Sequence, residues 1–169
     1  KKPYIAVLGG AKVSDKIPVI EKLMNVVDGF VIGGAMAYTF LKAQNIPVGK
    51  SLVEADKVKY AKEMIERMEA RGKTMLLPVD HVTTTSFNDT TNIKVTTTAE
   101  IDEDRMALDI GPQTIRNYRA CLEKANTIFW NGPMGVFETP AFAKGSFAVA
   151  EAMANNPGLK IVGGGDSAA

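Results

Sequence analysis

Two lysines at helical spacing follow a double glycine near the start of the chain, and together they could bind phosphate. An unbroken apolar run at residues 4–8 leads into Gly9 and Gly10, and Lys12 and Lys16 come next. A lysine near a helix N-terminus opposes the helix dipole by about 0.3–1 kcal/mol, so this placement is favourable where an anion is bound. The N–H groups of a glycine turn and two ammonium groups are suited to hold a phosphate. The alternative is a pair of solvated lysines beside an ordinary turn between a strand and a helix.

The start of the helix after this turn is predicted from Pro18. Proline lacks an amide N–H and is tolerated in the first helical turn, so the helix is predicted to begin near Ser14 or Asp15, either of which is a good N-cap. This start places Lys12 on the turn and Lys16 in the first helical turn.

Three further polar residues lie in or after glycine-rich segments and could contact the same ligand. Asp166 follows three glycines, where a carboxylate beside a phosphate would suit Mg²⁺, or it is a plain helix N-cap. Glu138 could accept hydrogen bonds from ribose hydroxyls, or it is a solvated loop acid. Asn131 offers an amide donor to phosphate, or it caps a turn.

These residues can act together only if the elements that carry them meet at one edge of a sheet. Apolar strands alternate with helices, which predicts an α/β domain with a mainly parallel sheet and right-handed crossovers. The strands are predicted at residues 4–8, 29–32, 73–79, 127–130 and 159–162. Ligands bind beyond the carboxyl ends of such strands. We therefore expect the glycine-rich turns to converge on one ligand; they lie at residues 9–10, 33–34, 131–133 and 163–165.

Helices are predicted between the strands, and a polar excursion separates the third strand from the fourth. The helices are predicted at about residues 14–27, 35–43, 55–71, 113–124 and 141–154. Residues 82–85 and 95–98 are rich in valine and threonine, which predicts a small, exposed antiparallel hairpin. We assign no chemistry to it.

The composition fits one compact domain, because 46% of the 169 residues are hydrophobic. Lysine and arginine total 20 against 19 acidic residues, so nucleic acid and membranes are not expected partners. The single cysteine, Cys121, excludes an internal disulfide and, with the single histidine, His81, excludes zinc-ligand spacing. Both residues are predicted to be structural. The cysteine usage and the lack of a long apolar run predict a cytoplasmic protein.

Two common nucleotide motifs are absent from the sequence. It contains no G-x-x-x-x-G-K-[ST] segment, and no G-x-G-x-x-G segment follows the first strand. A dinucleotide-binding domain would also have an acidic residue at the end of its second strand, where this chain has Gly33. An NAD-dependent dehydrogenase is therefore only a minor alternative.

Six segments of the chain resemble, in order, the C-terminal, nucleotide-binding half of phosphoglycerate kinases. They are GGAKVSDK at 9–16, GGAMA at 33–37, LPVD at 77–80, LDIGP at 108–112, WNGPMGVFE at 130–138 and GGGDSA at 163–168. The resemblance covers essentially the whole chain. It implies a Rossmann-like, three-layer domain that binds Mg-ADP or Mg-ATP. The enzyme would transfer phosphate between 1,3-bisphosphoglycerate and ADP in glycolysis.

The resemblance implies roles for residues at the phosphate end of such a site. Lys12 would hold the inner phosphates, and Lys16 would hold the transferring phosphoryl group with help from Asn131. Lys16 is thus the expected catalytic residue, and the backbone of Gly164 and Gly165 would share this role. Positioning and charge stabilisation provide most of the catalysis in phosphoryl transfer, which suits these residue types.

The resemblance also implies residues for the base, the ribose and the metal. Small and apolar residues would line the adenine slot: Gly10, Ala11, Gly33, Gly34, Leu52, Ala107, Leu108 and Val136. Pro133 and Glu138 would contact the ribose. Asp166 would hold Mg²⁺, and the amide of Ser167 would face the phosphates with those of the preceding glycines.

Some positions depart from the pattern of these kinases. Ala35 and Ala107 occupy places at the adenine slot where glycine is usual, so an added methyl group could tighten or misfit the slot. Arg105 stands where an aromatic residue is common, which affects only local loop packing.

The resemblance does not extend to the N-terminal substrate domain of these kinases, and the sequence ends two residues after Ser167. Residues 1–169 are therefore expected to be a partial nucleotide-binding domain that is truncated at both ends and monomeric. We expect it to bind nucleotide with little or no turnover, since 3-phosphoglycerate or 1,3-bisphosphoglycerate would bind through the missing domain. The alternative is a non-catalytic nucleotide-binding module.

Overall fold

The computed structural model describes residues 2–163, which form two β-sheets and five α-helices. The strands are β1 (Tyr4–Leu8), β2 (Gly29–Ile32), β3 (Thr74–Leu76), β4 (His81–Thr84), β5 (Lys94–Val95), β6 (Met106–Ile110), β7 (Thr127–Asn131) and β8 (Leu159–Gly163). The helices are α1 (Val13–Leu23), α2 (Met36–Ala43), α3 (Val58–Ala70), α4 (Pro112–Glu123) and α5 (Lys144–Ala154). Short 3-10 turns precede α3 and α5, at Ala55–Lys57 and Pro140–Phe142.

The five predicted strands form one sheet, in the order β3-β2-β1-β7-β8. Every pairing in this sheet is parallel within the described residues, so the prediction of a parallel sheet is confirmed. β3 is shorter than the predicted segment 73–79, because its pairing with β2 ends at Leu76, opposite Val31. The carboxyl ends of the strands share one edge of the sheet, and the turns that follow β1, β2 and β7 lie along it.

Helices cover both faces of this sheet, which confirms the predicted three layers. Successive side chains of β1 point to opposite faces. Ala6 and Leu8 pack in a core with residues of α1, α2 and α3, whereas Ile5 and Val7 pack in a core with residues of α4 and α5. Burial of both faces explains why this strand is apolar without alternation.

The second sheet confirms the predicted antiparallel pairing of the two valine- and threonine-rich segments, and it corrects their predicted exposure for β4. Its order is β5-β4-β6, with antiparallel pairing throughout, and the strand β6 was not predicted. β4 lies between the other two strands, and all four of its residues are buried. The buried hydroxyls of Thr83 and Thr84 donate to the carbonyl oxygens of Lys94 (2.7 Å) and Asp89 (2.5 Å), so threonine is tolerated there.

Helix α1 begins earlier than predicted. Lys12 is its N-cap residue and makes no side-chain capping bond, and Pro18 lies inside the helix beyond its first turn. The carbonyl oxygen of Ser14 therefore lacks its usual helical N–H partner. Val13 and Ile20 are buried in the core, and we attribute the tolerance of the proline to this packing.

No helix in the described part of the chain combines the length and the apolar character that a membrane-spanning helix requires.

Candidate functional site

Three of the four predicted glycine turns meet at the carboxyl edge of the parallel sheet. Backbone hydrogen bonds join them: Gly9 N–H to Asn131 O (2.9 Å), Gly10 N–H to Pro133 O (3.0 Å), Gly34 N–H to Met134 O (2.9 Å) and Met36 N–H to Gly10 O (3.0 Å). The fourth turn begins at Gly163, which pairs with Asn131 in the sheet, and its remaining residues lie outside the described residues. The convergence that the sequence predicts is therefore present for the turns after β1, β2 and β7.

Glycine is required at Gly34, where the backbone of two turns is in contact. Its φ of 69° lies in the left-handed region. A Cβ at Gly34 would lie 2.5 Å from the amide nitrogen of Gly10 and 2.8 Å from the carbonyl oxygen of Pro133. Any side chain would push the turns apart.

These turns and β6 enclose a small apolar cavity of about 120 Å³. Its lining consists of Gly10, Ala11, Gly34, Ala35, Tyr38, Ala107, Leu108, Pro133, Gly135 and Val136. Most of the residues predicted for the adenine slot are among them, and so is Pro133, which was predicted for the ribose. A mainly apolar cleft with few polar groups is typical of small-molecule and cofactor sites.

Two residues predicted for the slot do not line this cavity. Gly33 is buried, and a Cβ there would lie 2.9 Å from Cε of Met134. Leu52 is 57% exposed on the loop before α3. Their assignment to the slot stays a prediction.

Sequence reasoning missed the contribution of Tyr38 and Gly135 to the cavity. Tyr38 lies on α2 one turn after Ala35, so helical spacing could have identified it. Burial, with a smaller effect of the Asp109 charge, holds the pKa of the Tyr38 hydroxyl well above its usual value. The hydroxyl is thus a neutral group in the lining.

The two predicted phosphate-binding lysines lie beside the cavity. Lys12 is exposed at the start of α1. The ammonium group of Lys16 donates a hydrogen bond to Oδ1 of Asn131, and its Cε would lie 3.3 Å from a Cβ at Gly10. The fold therefore brings Lys16 and Asn131 together next to the double glycine.

One amide in the first turn of α1 is already engaged by a side chain. The N–H of Ser14 donates to Oε1 of Glu54 (3.0 Å), and the hydroxyl of Ser14 donates to Oε2 (2.7 Å). The carboxylate of Glu54 therefore occupies the N-terminus of the helix. No spacing rule predicts this contact, because the two residues are 40 positions apart.

The remaining predicted residues are exposed or lie outside the described residues. Glu138 is exposed two residues after Val136. Gly164, Gly165, Asp166 and Ser167 lie outside residues 2–163, so their roles stay predictions. Among the residues that the structure describes, no group of three or more acidic, histidine or cysteine side chains is arranged to hold a metal ion.

A buried carboxyl group, Asp109, supports the cavity from behind. Its oxygens accept hydrogen bonds from the N–H groups of Ile110 (2.9 Å) and Gly145 (3.0 Å), and Gly145 lies in the first turn of α5. A Cβ at Gly135 would lie 2.6 Å from Oδ1, so the cavity wall packs directly on this group. Burial raises the pKa of Asp109 to about 7, although both hydrogen bonds and the charge of Lys144 oppose the rise.

A buried histidine lies behind Tyr38. His81 is inaccessible to solvent, contacts the ring of Tyr38 edge-on at 5.8 Å, and has its Nε2 3.0 Å from the carbonyl oxygen of Ala99. Nε2 is therefore the protonated nitrogen, and within residues 2–163 Nδ1 has no hydrogen-bond partner. Burial lowers the pKa of His81 to about 4, against the opposing effects of this bond and of Asp80. These contacts agree with the predicted structural role.

The comparisons with known proteins all lead to one family. The family model described as phosphoglycerate kinase matches residues 1–169. Phosphoglycerate kinase from Bdellovibrio bacteriovorus is 69% identical over 169 residues, which are 100% of this chain and 42% of that protein. Phosphoglycerate kinase from Clostridium novyi is 56% identical over 168 residues, or 99% of this chain and 42% of that protein.

A solved structure, phosphoglycerate kinase from Coxiella burnetii, matches with a TM-score of 0.96 and 39% identity. The match covers 99% of this chain and 43% of that one. The present chain thus spans about two fifths of the length of the curated relatives it matches.

Proposed function

The chain belongs to the phosphoglycerate kinase family, and from this membership we propose that it is a nucleotide-binding part of such a kinase. The observation that carries the proposal is the apolar cavity at the carboxyl edge of the sheet, with Lys12 and Lys16 beside it. In this proposal the cavity receives the adenine of ADP or ATP. The phosphates extend from the cavity along the glycine turns towards the two lysines.

Each of the described polar residues has a separate part in this proposal. Lys12, which is exposed at the start of α1, binds the inner phosphates through its ammonium charge. Lys16 binds the phosphoryl group in transfer, where the negative charge of the transition state develops. Asn131 orients the Lys16 ammonium through their hydrogen bond. Glu138 and Pro133 contact the ribose.

We propose that Asp166 holds Mg²⁺ and that the amides of Gly164, Gly165 and Ser167 face the phosphates. Mg²⁺ uses one or two carboxylates together with phosphate oxygens and water. Glu54, the carboxylate at the start of α1, already accepts two hydrogen bonds from Ser14, so the proposal assigns the metal to Asp166. When bound, Mg²⁺ would neutralise phosphate charge, while Lys12 and Lys16 orient the chain of phosphates.

The reaction proposed for the complete kinase is reversible transfer of phosphate from 1,3-bisphosphoglycerate to ADP, in the glycolysis of the cytoplasm. The chain corresponds to about two fifths of its relatives. We propose that these 169 residues alone bind nucleotide as a monomer with little or no turnover. The acyl phosphate must meet the nucleotide in a site that excludes water, and the family resemblance assigns its binding to another domain.

Replacement of Lys12 by alanine is expected to weaken Mg-ADP binding by at least about 10-fold, since a 10-fold loss corresponds to about 1.4 kcal/mol for one charge contact with phosphate. Isothermal titration calorimetry with Mg-ADP, adenosine and NADH measures the effect. Adenosine binding should change little, because its base enters the apolar cavity.

Lys22→Ala is the matched control, because Lys22 is exposed in the last turn of the same helix. This variant should bind Mg-ADP as the unaltered chain does. Wild-type affinity in Lys12→Ala, or no binding of Mg-ADP by the unaltered chain, would contradict the proposal. Binding of NADH in preference to Mg-ADP would favour a dehydrogenase domain.

A further inference from the structure

Glu54 connects the start of α1 to α2. Its carboxylate accepts hydrogen bonds from the N–H of Ser14 (3.0 Å) and from the hydroxyl of Ser14 (2.7 Å). Its own N–H donates to Oγ1 of Thr39 (3.1 Å), and Thr39 is buried in α2. Both ends of the residue are therefore fixed, one to each helix.

The charge of Glu54 suits this position. An ionised carboxylate at a helix N-terminus is stabilised by the helix dipole and by the N–H groups of the first turn. Burial pushes the pKa of the Glu54 carboxyl upward, but the bonds from Ser14, the amide of Val13 and the charge of Lys12 outweigh it and hold the pKa below its usual value. The carboxylate is thus ionised near neutral pH and acts as the cap that the side chain of Lys12 does not provide.

The segment that ends at Glu54 begins at the apolar cavity. The hydroxyl oxygen of Ser51 accepts a hydrogen bond from the N–H of Ala107 (2.9 Å), and Ala107 lines the cavity. Residues 51–54 therefore extend from the cavity wall to the first turn of α1. Only Leu52 in this segment is strongly exposed, at 57%.

We propose that Glu54 is a positioning residue for phosphate binding: by holding the first turn of α1 it fixes the direction in which the Lys12 ammonium extends beside the cavity. The inference rests on the proposed function, since it concerns the phosphate end of the same site. Glu54 also engages the amide of Ser14, so nucleotide phosphates depend on the lysines rather than on that amide.

Two effects of Glu54 on anion binding have opposite signs, and this makes the proposal testable. Its negative charge near Lys12 repels phosphate, so loss of the charge alone would strengthen binding of ADP. Its hydrogen bonds hold the turn, so loss of the bonds would weaken binding of ADP if positioning is its role. Glutamine removes the charge and keeps an acceptor for the N–H of Ser14, whereas alanine removes both.

The experiment compares Glu54→Ala and Glu54→Gln with the unaltered chain by calorimetric titration of Mg-ADP and of adenosine. Glu54→Ala is expected to weaken Mg-ADP binding about 10-fold and to leave adenosine binding within about twofold. Glu54→Gln is expected to bind Mg-ADP at least as tightly as Glu54→Ala does. Amide hydrogen exchange at Ser14 and Asp15 should become faster in Glu54→Ala.

Glu21→Ala is the matched control. Glu21 lies on the same helix about 10 Å from Ser14, given a rise of about 1.5 Å per residue, and it accepts hydrogen bonds from Tyr60 (2.6 Å) and Arg67 (3.1 Å). Its loss removes carboxylate contacts at the other end of α1. This variant should therefore lose stability without losing affinity for Mg-ADP.

The outcomes separate this inference from the proposed function. If the unaltered chain binds Mg-ADP and Glu54→Ala binds it as tightly or more tightly, the inference is overturned and the proposed function is not. No Mg-ADP binding by the unaltered chain overturns the proposed function and this inference with it. If Glu54→Ala does not fold, Ser14→Ala is measured in its place, because it removes one of the two hydrogen bonds between Ser14 and Glu54. A loss of Mg-ADP affinity of about threefold in Ser14→Ala supports the inference. Wild-type affinity for Mg-ADP in this variant overturns it.

Discussion

Replacement of Gly9 by alanine is expected to lower the free energy of unfolding by about 4 kcal/mol, near the upper end for a single substitution. A Cβ at Gly9 would lie 2.7 Å from the carbonyl oxygen of Gly132 and closer still to that of Pro133. Both oxygens belong to the backbone, so no side-chain rotation can make room. The turns after β1 and β7 would separate, and the hydrogen bond from Gly9 N–H to Asn131 O would lengthen.

Urea unfolding followed by tryptophan fluorescence measures this loss. Trp130 is the single tryptophan of the chain, it is 5% exposed, and its indole N–H donates to the carbonyl oxygen of Gly132 (2.7 Å). Gly72→Ala is the matched control, because Gly72 has a φ of 66° and a Cβ there would meet nothing within 4 Å. Left-handed strain alone should lower stability by about 1–2 kcal/mol. A loss in Gly9→Ala no larger than that in Gly72→Ala would contradict the steric explanation.

The free energy of unfolding of the chain is expected to change little between pH 7 and pH 5. Single substitutions at two buried groups should each reveal a change of about 2 kcal/mol in this free energy over the same interval, and the two changes should have opposite signs. The two groups are His81 and Asp109, which lie behind different parts of the cavity wall. Stability rises with pH wherever the unfolded chain binds more protons than the folded chain.

His81 makes the folded chain less stable as the pH falls. Burial lowers its pKa from 6.5 to about 4 in the folded state. Between these values the unfolded histidine binds a proton that the folded one does not. The stabilisation is therefore complete above the unfolded pKa and is lost as the pH falls through 6.5 towards 4.

Asp109 has the opposite effect, because burial raises its pKa from 3.8 to about 7. Between these values the folded carboxyl keeps a proton that the unfolded one has released. Its contribution to stability is present below 3.8 and is lost as the pH rises towards 7. On acidification from pH 7 to pH 5, the gain from Asp109 offsets the loss from His81.

Urea unfolding at pH 5, 6 and 7 checks this expectation in Asp109→Asn and His81→Phe. Asp109→Asn should lose about 2 kcal/mol of unfolding free energy from pH 7 to pH 5, because the pH dependence that His81 contributes remains in this variant. His81→Phe should gain about 2 kcal/mol over the same interval, since the slope of Asp109 remains. Slopes of the same sign in the two variants would show that the assigned pKa shifts are wrong.

The parallel sheet was predictable because its signals are local. A strand covered on both faces needs an apolar run, and a helix above the sheet needs apolar residues every three or four positions. Both sequence patterns recur along the chain. Parallel strands also place their carboxyl ends at one edge, so the meeting of three glycine turns followed from topology alone. The six short segments were sufficient for the family resemblance, which the comparisons confirm.

The burial of β4 and the position of Pro18 could not be predicted in the same way. Threonine-rich strands are usually exposed, but Thr83 and Thr84 find carbonyl partners on neighbouring segments. Pro18 is tolerated inside α1, where core packing of Val13 and Ile20 accompanies it. In both cases tertiary contacts outweigh the local preference.

The sequence by itself determined the α/β class, the three-layer arrangement, the family and the chemical types that could bind phosphate. Only the tertiary structure decided that Tyr38 and Gly135 line the cavity, that Glu54 occupies the first turn of α1, and that Asp109 and His81 are buried behind the walls. The physical reason is the sequence separation over which each kind of interaction acts. Periodicity and turn chemistry act over a few residues, whereas a carboxylate finds a partner 40 positions away only after the helices between them have packed.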